Sequence, residues 1–419
     1  MNARWGAAWR CGQRPGGTYL ERMCIRKGRT ALLSIAMVIS ACAAAALPSV
    51  ATPAAAVPVP RESAAASQPW EATAAKLDRV IQQTATDAGV PGVIVGVWKP
   101  GQPRYVRAFG VADTKDRAPM RTDLNMRIGS ETKTFTVTAL LQLVDRGKVG
   151  LDDPISAYVD GVPDGEHITL RQLANMRSGL FAYTKDEGFQ HLLATEPHRQ
   201  WTPSELLRIA FEHPNQFPPG TQFDYSNTNT VLLGLVVEKV THRPLRNVIR
   251  NLITRPSGLE HTFLPKAAEF PQPHAHGYTD QTPDGTVADA TDFNPSWGWA
   301  AGAMISNLDD MRSWAKNVAT GGLLTPQTQA ERLDAQPTGA PGDAYGLGID
   351  INHGWIGHAG SLPGYQSLTV YLPAQKATMV ILLNTDIPSN GENPSTLLGR
   401  AITQVISPAN VYGDASDQN

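Results

Sequence analysis

The sequence predicts an α/β protein of the α+β type. One antiparallel sheet would be built from both ends of the chain and flanked by helices, with a mainly helical lobe inserted between the ends. Between about 145 and 290, helical and loop patterns are broken by Pro-Gly turns, without sustained strand alternation. Strand-like apolar runs occur instead near the two ends of the globular region, at 93–98, 105–111, 368–372 and 378–383.

Predicted helices complete the sheet region at both ends. Residues 75–88 have the pattern of a helix before the first strand, and 396–406 have that of a helix after the last. The 419 residues are 42% hydrophobic and 18% charged, which suffices for a large enzyme domain. We expect one globular domain over 70–410, followed by a tail at 411–419.

Residues 1–42 are predicted to be a signal peptide. Residues 27–30 are basic and precede an apolar run at 31–47. The run is shorter than the roughly 20 residues of a membrane-spanning helix. Because residues 1–22 are unusual for a signal peptide, Met23 is a second candidate start. Export is therefore expected.

Two forms of the exported protein stay open. Residues 39–42 (Ile-Ser-Ala-Cys) fit a lipobox, in which Cys42 would be lipidated and become the new N-terminus. The small residues at 54–56 also offer ordinary signal-peptidase sites. Residues 43–69, rich in Ala, Pro and Ser, are predicted to be a flexible linker. The expected localisation is the cell envelope with a lipid anchor, or secretion.

Charge and cysteine content exclude several classes of protein. The formal net charge is -2, so no basic surplus indicates nucleic acid as a partner. After residue 42 the chain has 29 basic and 37 acidic residues, a net charge of -8. The cysteines are Cys11, Cys24 and Cys42, which excludes a thiol nucleophile, a thiolate zinc site and a disulfide from the globular region.

A Ser-x-x-Lys motif at Ser130 and Lys133 opens a predicted helix. At a helix start, the serine hydroxyl lies beside free backbone N–H groups and the positive end of the dipole. Lys133 lies one turn later on the same face, and a buried lysine can be neutral and take the serine proton. A second copy, at Ser313 and Lys316, lies within a surface-type helix and is interpreted as structural.

A Tyr-x-Asn motif at Tyr225 and Asn227 precedes a strongly apolar helix. Both side chains would point the same way, so the phenol can pass protons and the amide can hold a substrate amide. The same two residues would equally serve to cap that helix, and the motif alone leaves both interpretations open.

A His-Ala-Gly-Ser run at His358, Gly360 and Ser361 precedes a C-terminal strand. Small residues let a strand edge approach a substrate closely, and the backbone N–H groups of Ser361 and Ser130 would then form an oxyanion hole. Tyr225 follows Ser130 by 95 residues, and His358 follows Tyr225 by 133. This is the motif order of penicillin-recognising serine enzymes, and only the Ser130 copy completes it.

At these residues the chain resembles the superfamily of class C β-lactamases and serine-type D-Ala-D-Ala carboxypeptidases, which is penicillin-binding-protein-like. Within it, the secreted actinomycete DD-carboxypeptidases are the most similar group. The resemblance covers about 85–405 and implies a β-lactamase/transpeptidase-like fold. The motifs that carry it are at 127–130, 140–148, 177–180, 225–229, 301–306 and 345–348.

The resemblance implies an acyl-enzyme mechanism without a cofactor or a metal. Ser130 would be the acylated nucleophile and Lys133 its proton acceptor. Tyr225 would relay the proton, and Asn227 would bind the substrate amide. His358 would replace the commoner lysine of the third motif.

The resemblance also implies the substrate class. Trp297 would line the acyl pocket, and Gly360 and Ser361 would contact the substrate. The expected activity is that of a D-alanyl-D-alanine carboxypeptidase or peptidase on peptidoglycan stem peptides, with acylation by β-lactams. The alternatives are a β-lactamase or broad-specificity carboxyl esterase of the same fold, and a non-catalytic penicillin-binding protein.

Two departures from the family pattern bear on specificity. Ala359 and Ser361 stand where the family often has threonine, so a hydroxyl beside His358 is missing. The carboxypeptidase pattern also has an arginine shortly after 345–348 that binds the terminal carboxylate, and here no arginine precedes His358. Asp350 lies in that stretch and would repel a carboxylate if it occupied the arginine's place. Weak discrimination between a peptide acid and its amide or ester is expected.

Other hydrolase classes fit poorly. A metallohydrolase needs several ligands at fixed spacing, and His274 and His276 are the only close pair. No Gly-x-Ser-x-Gly elbow of an α/β-hydrolase occurs. The presence of Ser130, Lys133 and Tyr225 argues against a protein that has lost turnover.

Overall fold

The computed structural model describes residues 64–413. Its strands are, in chain order, β1 (Gly92–Trp98), β2 (Tyr105–Gly110), β3 (Met126–Arg127), β4 (Tyr278–Thr279), β5 (Ala288–Asp289), β6 (Ile305–Ser306), β7 (Gln336–Pro337), β8 (Asp343–Tyr345), β9 (Asp350–Asn352), β10 (Trp355–Leu362), β11 (Tyr365–Leu372) and β12 (Ala377–Leu383). Eight of them form an antiparallel sheet in the order β2-β1-β12-β11-β10-β9-β8-β7. The other four form two small ladders, β3 with β6 and β4 with β5.

The helices lie on both faces of this sheet and in the inserted lobe. They are α1 (Ala64–Asp87), α2 (Thr132–Asp145), α3 (Leu170–Ala174), α4 (Glu187–Thr195), α5 (Pro203–Phe211), α6 (Asn227–Thr241), α7 (Leu245–Ile249), α8 (Trp299–Gly302), α9 (Leu308–Thr320), α10 (Pro326–Leu333) and α11 (Pro394–Ile406). Within the described residues, none of these helices is long and apolar enough to cross a membrane.

The predicted sheet from both ends of the chain is confirmed. β1 pairs antiparallel with β12, so that Val93 lies opposite Leu383, and β12 in turn pairs with β11. Every residue of β1, β11 and β12 is buried, because helices cover both faces of the sheet. The segment between β2 and β10 contains the helical lobe that the sequence predicts.

Two separate apolar layers hold the helices on the sheet. On one face, Leu77 of α1 and Ile402 of α11 pack against alternate residues of β1 and β12 such as Val95. On the other face, α9 covers the remaining residues of the same strands, and α2 packs against β10. Twelve of the fourteen residues of α2 are buried, so this helix is central to the molecule. Packing along the whole length of α2 therefore fixes the position of the motif at its start.

Both predicted boundaries of the globular domain lie further out in the structure. Helix α1 begins at Ala64, inside the segment predicted to be linker, because an Ala-rich stretch favours a helix. At the other end, residues of the predicted tail pack against the body. The Tyr412 side chain is buried, and the Gly413 N–H donates to Asn352 Oδ1 at 2.7 Å. The predicted signal peptide and Cys42 lie outside the described residues.

Candidate active site

Ser130 lies in a turn of 3-10 helix, Gly129–Glu131, immediately before α2. The turn is pressed against β10. Gly129 has a φ of +51°, and a Cβ atom there would lie 2.6 Å from the backbone nitrogen of Ser361. Only glycine permits this conformation and this approach together. The Ser130 side chain is half-buried, with its hydroxyl beside α2 and β10.

Lys133 is fully buried one turn later, and its Nζ has three polar neighbours. It lies 3.0 Å from Ser130 Oγ, 2.6 Å from Asn227 Oδ1 and 2.9 Å from the carbonyl oxygen of Ala301. Burial lowers the pKa of Lys133 well below its usual value. A neutral amine has two N–H donors and one lone pair. The Asn227 and Ala301 oxygens can only accept, so they take both donors and leave the lone pair for the Ser130 hydroxyl.

Tyr225 and Asn227 stand at the start of α6, on the other side of Lys133. The Lys133 Nζ lies 4.7 Å from the centre of the Tyr225 ring. The buried Tyr225 hydroxyl has no hydrogen-bond partner among the described residues. Burial raises the pKa of Tyr225, and the nearby Ser130 hydroxyl offsets this in part. The phenol is therefore protonated, faces the nucleophile and is free to exchange its proton.

His358 lies on β10 and is 5% exposed. Its Nε2 is 2.9 Å from the Tyr345 hydroxyl, and its Nδ1 contacts the carbonyl oxygen of Ala359. Since a carbonyl accepts, Nδ1 carries the hydrogen and Nε2 accepts from Tyr345. Burial, with a smaller contribution from Lys133, lowers the pKa of His358 to about 3. A neutral imidazole thus occupies the position in the third motif at which the family more commonly has a lysine cation.

Gly360 and Ser361 bring the end of β10 to the nucleophile. A Cβ on Gly360 would lie 2.1 Å from the carbonyl oxygen of Ile128, so a larger residue would push the Ser130 turn away. Because the Ser361 nitrogen faces Gly129, the backbone N–H groups of Ser361 and Ser130 lie on neighbouring elements. An oxyanion hole requires two such donors directed at the same point.

Trp297 is half-buried at the side of this site. Its backbone carbonyl accepts a 2.7 Å hydrogen bond from the Tyr183 hydroxyl. The indole lines a small cavity of about 10 Å³ together with Leu193, Phe293 and Leu362, the last of which follows Ser361.

Asp350 lies on β9 directly opposite Gly357, the residue before His358. The residue is half-buried. Burial of its carboxyl group and the neighbouring Asp343 raise the pKa of Asp350 well above its usual value. Asp350 in turn contributes to the raised pKa of Tyr225 and of Tyr345, so it lies within electrostatic range of the site.

The second Ser-x-x-Lys copy has none of these surroundings. Ser313 and Lys316 are exposed on α9, and the Ser313 hydroxyl donates to the backbone oxygen of Asp309.

Two residues that contact the site, Tyr345 and Ala301, were not predicted as site residues. Both lie in motifs that carry the resemblance, at 345–348 and 301–306. Among residues 64–413, no group of three or more His, Cys, Asp and Glu side chains is placed to hold a metal ion.

Comparison with known proteins identifies the family. The family model described as Beta-lactamase matches residues 77–401. The chain belongs to the beta-lactamase family. It is a serine hydrolase with the fold of the penicillin-binding-protein-like members.

Solved structures of this family include close matches to the fold. A D-stereospecific amidohydrolase from Streptomyces sp. is 31% identical, with 80% of this chain and 98% of that chain covered and a TM-score of 0.71. The D-amino acid amidase from Ochrobactrum anthropi SV3 is 27% identical, with 81% and 99% covered and a TM-score of 0.72.

A curated relative in the family has a related name. The D-aminopeptidase from Cereibacter sphaeroides is 27% identical over 339 residues, which is 78% of this chain and 63% of that protein. The chain spans 63–68% of the length of the curated relatives it matches, so their full activities do not transfer to it directly.

Proposed function

We propose that the chain is an exported serine hydrolase that cleaves amide bonds at D-amino acid residues through an acyl-enzyme. The leading substrate class is the D-Ala-D-Ala peptide of peptidoglycan stems, and β-lactams would acylate the same serine. The contact that carries the hydrolase proposal is the one between Ser130 Oγ and the buried Lys133 Nζ. The D-configuration is supported by the names of the similar amidohydrolase, amidase and aminopeptidase.

In the proposed mechanism, Ser130 Oγ attacks the substrate carbonyl while its proton passes to the Lys133 amine. The carbonyl oxygen becomes an oxyanion, held by the backbone N–H groups of Ser130 and Ser361. The C–N bond then breaks. The leaving amine takes a proton that the Tyr225 phenol donates, and Lys133 restores the phenol proton. A water molecule attacks the ester, releases the acid and returns the proton to Ser130.

Asn227 and Trp297 would orient the acyl part of the substrate. The Oδ1 atom of Asn227 is engaged by Lys133, which leaves its Nδ2 group to donate to a substrate carbonyl. Trp297 offers an apolar wall next to the end of β10. His358 and Tyr345 would act as neutral hydrogen-bonding groups at the opposite side, where a lysine would supply charge.

The proposed specificity does not depend on a free terminal carboxylate. A bound carboxylate usually receives a charge-assisted hydrogen bond from Arg or Lys, worth about 1.5–3 kcal/mol. No arginine lies between Gly348 and His358, and Asp350 stands there instead. Amides and esters are therefore expected to react about as well as acids, which also favours the esterase as the second candidate function.

The test compares kcat/KM for a D-Ala-D-Ala peptide, its C-terminal amide and the corresponding L-Ala peptide. We expect a preference for the acid over the amide below about tenfold, and a strong preference for the D-configured acyl residue. Ser130→Ala should abolish turnover of all three. A preference for the acid above about a hundredfold would show that another residue binds the carboxylate. Equal rates for D and L substrates would contradict the proposed substrate class.

A further inference from the structure

A groove lies at the end of the sheet that is remote from the oxyanion hole. Its floor includes Trp98, at the end of β1, and Tyr371, near the end of β11, and its volume is about 870 Å³. Gln366, which lies opposite Ser361, is five residues from Tyr371 along β11. At about 3.3 Å per residue, the groove lies roughly 17 Å along the strand from the oxyanion hole. It is therefore a separate surface.

The lining of this groove is strongly basic and contains no carboxylate. None of its cations forms an ion pair with another described residue. The chain after residue 42 has a net charge of -8, so this concentration of positive charge runs against the overall balance. The five cations are Lys99, Arg104, Arg312, Lys316 and Lys376.

Two of these cations are positioned by contacts that leave their charge uncompensated. The Arg312 guanidinium lies over the Trp98 ring, 4.8 Å from its centre. Lys99 Nζ donates to the backbone carbonyl of Ile406 at 3.3 Å. Clustered like charges repel one another and oppose folding, and a bound anion would relieve this repulsion. Contacts that hold the cations in place at such a surface favour a binding role.

We propose that this basic groove binds a linear polymer that carries phosphate groups. Arginine suits phosphate because its planar donors match two phosphate oxygens at once. The cations come from three separate segments, at 99–104, 312–316 and 373–376, which surround the concave floor. Successive phosphates of one chain can therefore contact different segments. A concave surface fits such a chain better than it fits a flat bilayer.

The test measures hydrogen–deuterium exchange of the full chain with and without sodium polyphosphate. Exchange is the appropriate readout because residues 1–42 carry seven further cations and would add to any overall affinity. We expect protection of peptides that cover 99–104, 312–316 and 373–376, and loss of that protection as salt rises. Absence of protection there at low salt would overturn the proposal.

Charge-reversal variants then distinguish binding in the groove from binding by exposed cations elsewhere on the protein. The affinity of the groove is taken from the polyphosphate concentration that gives half-maximal protection of its peptides, and the triple variant Arg104→Glu/Arg312→Glu/Lys316→Glu should require at least tenfold more. The matched control reverses three exposed arginines on and beside α7, Arg243→Glu/Arg246→Glu/Arg250→Glu, and should change affinity less than threefold. Both triple variants should retain hydrolysis at Ser130, which shows that they fold.

Three outcomes would contradict the proposal. The first is an equal loss of affinity in the two triple variants. The second is protection of the groove by poly-L-glutamate as strong as that by polyphosphate, which would indicate an acidic protein partner. The third is protection by phosphatidylglycerol vesicles but not by polyphosphate, which would indicate a membrane surface.

Discussion

At the scale of single residues, the chemistry of the site depends on one buried amine. Lys133 is held between two acceptors that cannot donate, so its lone pair is directed at Ser130. Burial deprives the charged form of this amine of most of its hydration. Its low pKa is thus a consequence of the position of α2 at the centre of the molecule.

We predict that Lys133→Ala slows acylation by a β-lactam about 10²- to 10⁴-fold, because the general base is lost. Intact-mass spectrometry over time measures the rate, and peptide mapping should place the adduct on Ser130. The matched control is Lys316→Ala in the second Ser-x-x-Lys copy, which should acylate at the wild-type rate. An unchanged rate in Lys133→Ala would show that Lys133 is not the general base, and an adduct on Ser313 would show that the nucleophile is assigned wrongly.

Glu131, next to the nucleophile, gives a second prediction at this scale. Its carboxyl is 1% exposed, and burial raises its pKa to about 8, with Ser367 and Thr369 offsetting part of the rise. An unfolded chain loses this proton near pH 4.5, whereas the folded protein keeps it until about pH 8. Between these values the folded state binds more protons, so the free energy of unfolding falls as the pH rises.

Replacement of Glu131 by Gln should therefore remove most of this fall, which is about 4 kcal/mol between pH 4.5 and 8. Urea unfolding of the wild type and of Glu131→Gln at a series of pH values measures it. The exposed Glu71→Gln serves as the control and should keep the wild-type slope. If the two variants show the same pH dependence, Glu131 is ionised in the folded protein.

The residues of the site divide into those that a local pattern predicts and those that it does not. Ser130 and Lys133 share one helix turn, and Tyr225 and Asn227 share one loop, so their spacing alone places each pair together. Tyr345 reaches His358 only because β8 and β9 fold back beside β10. No spacing within the sequence encodes that contact.

At the scale of elements, the site depends on the seam between the Ser130 turn and β10. Gly129 and Gly360 face each other across this seam, and each lacks the side chain that would separate the two elements. The Ser367 hydroxyl on β11, directly beside Gly360, donates to the Ile128 carbonyl at 3.0 Å and ties the turn to the sheet. The separation of Ser130 from the proposed oxyanion hole is thus set by backbone packing.

We predict that Gly360→Ala destabilises the protein by about 1–3 kcal/mol and slows acylation, because the added Cβ meets the Ile128 carbonyl. Thermal unfolding and the rate of acylation by a β-lactam measure the two effects. Gly188→Ala, at an exposed position in α4, is the control and should leave both nearly unchanged. Wild-type acylation by Gly360→Ala would show that β10 does not border the reacting atoms.

The long strands can be predicted from the sequence pattern, whereas the short strands cannot. β1 and β12 are apolar runs of seven residues, and both were predicted close to their observed bounds. β7, β8 and β9 have only two or three residues each, too few for alternation to be visible. They extend the sheet because the neighbouring edge of β10 offers unpaired backbone groups, which is a tertiary effect.

At the scale of the whole molecule, one compact unit contains all of the described residues. This unit has a large apolar core and depends on no disulfide, since every cysteine precedes it. A domain without disulfides can be stable inside the cell or outside it, so the fold is compatible with both locations. The proposal of export depends on the basic and apolar pattern of residues 27–47.

The form of export is tested at Cys42. If Cys42 is lipidated, its acyl chains hold the protein on the membrane, because each buried CH₂ group contributes about 0.8 kcal/mol. Cys42→Ala should then move the protein from the membrane fraction to the medium, with hydrolase activity retained. Fractionation followed by immunoblotting measures the shift, and Cys24→Ala is the matched control that should stay with the membrane. A wild-type mature N-terminus mapped beyond residue 42 would show that an ordinary signal peptidase releases the enzyme.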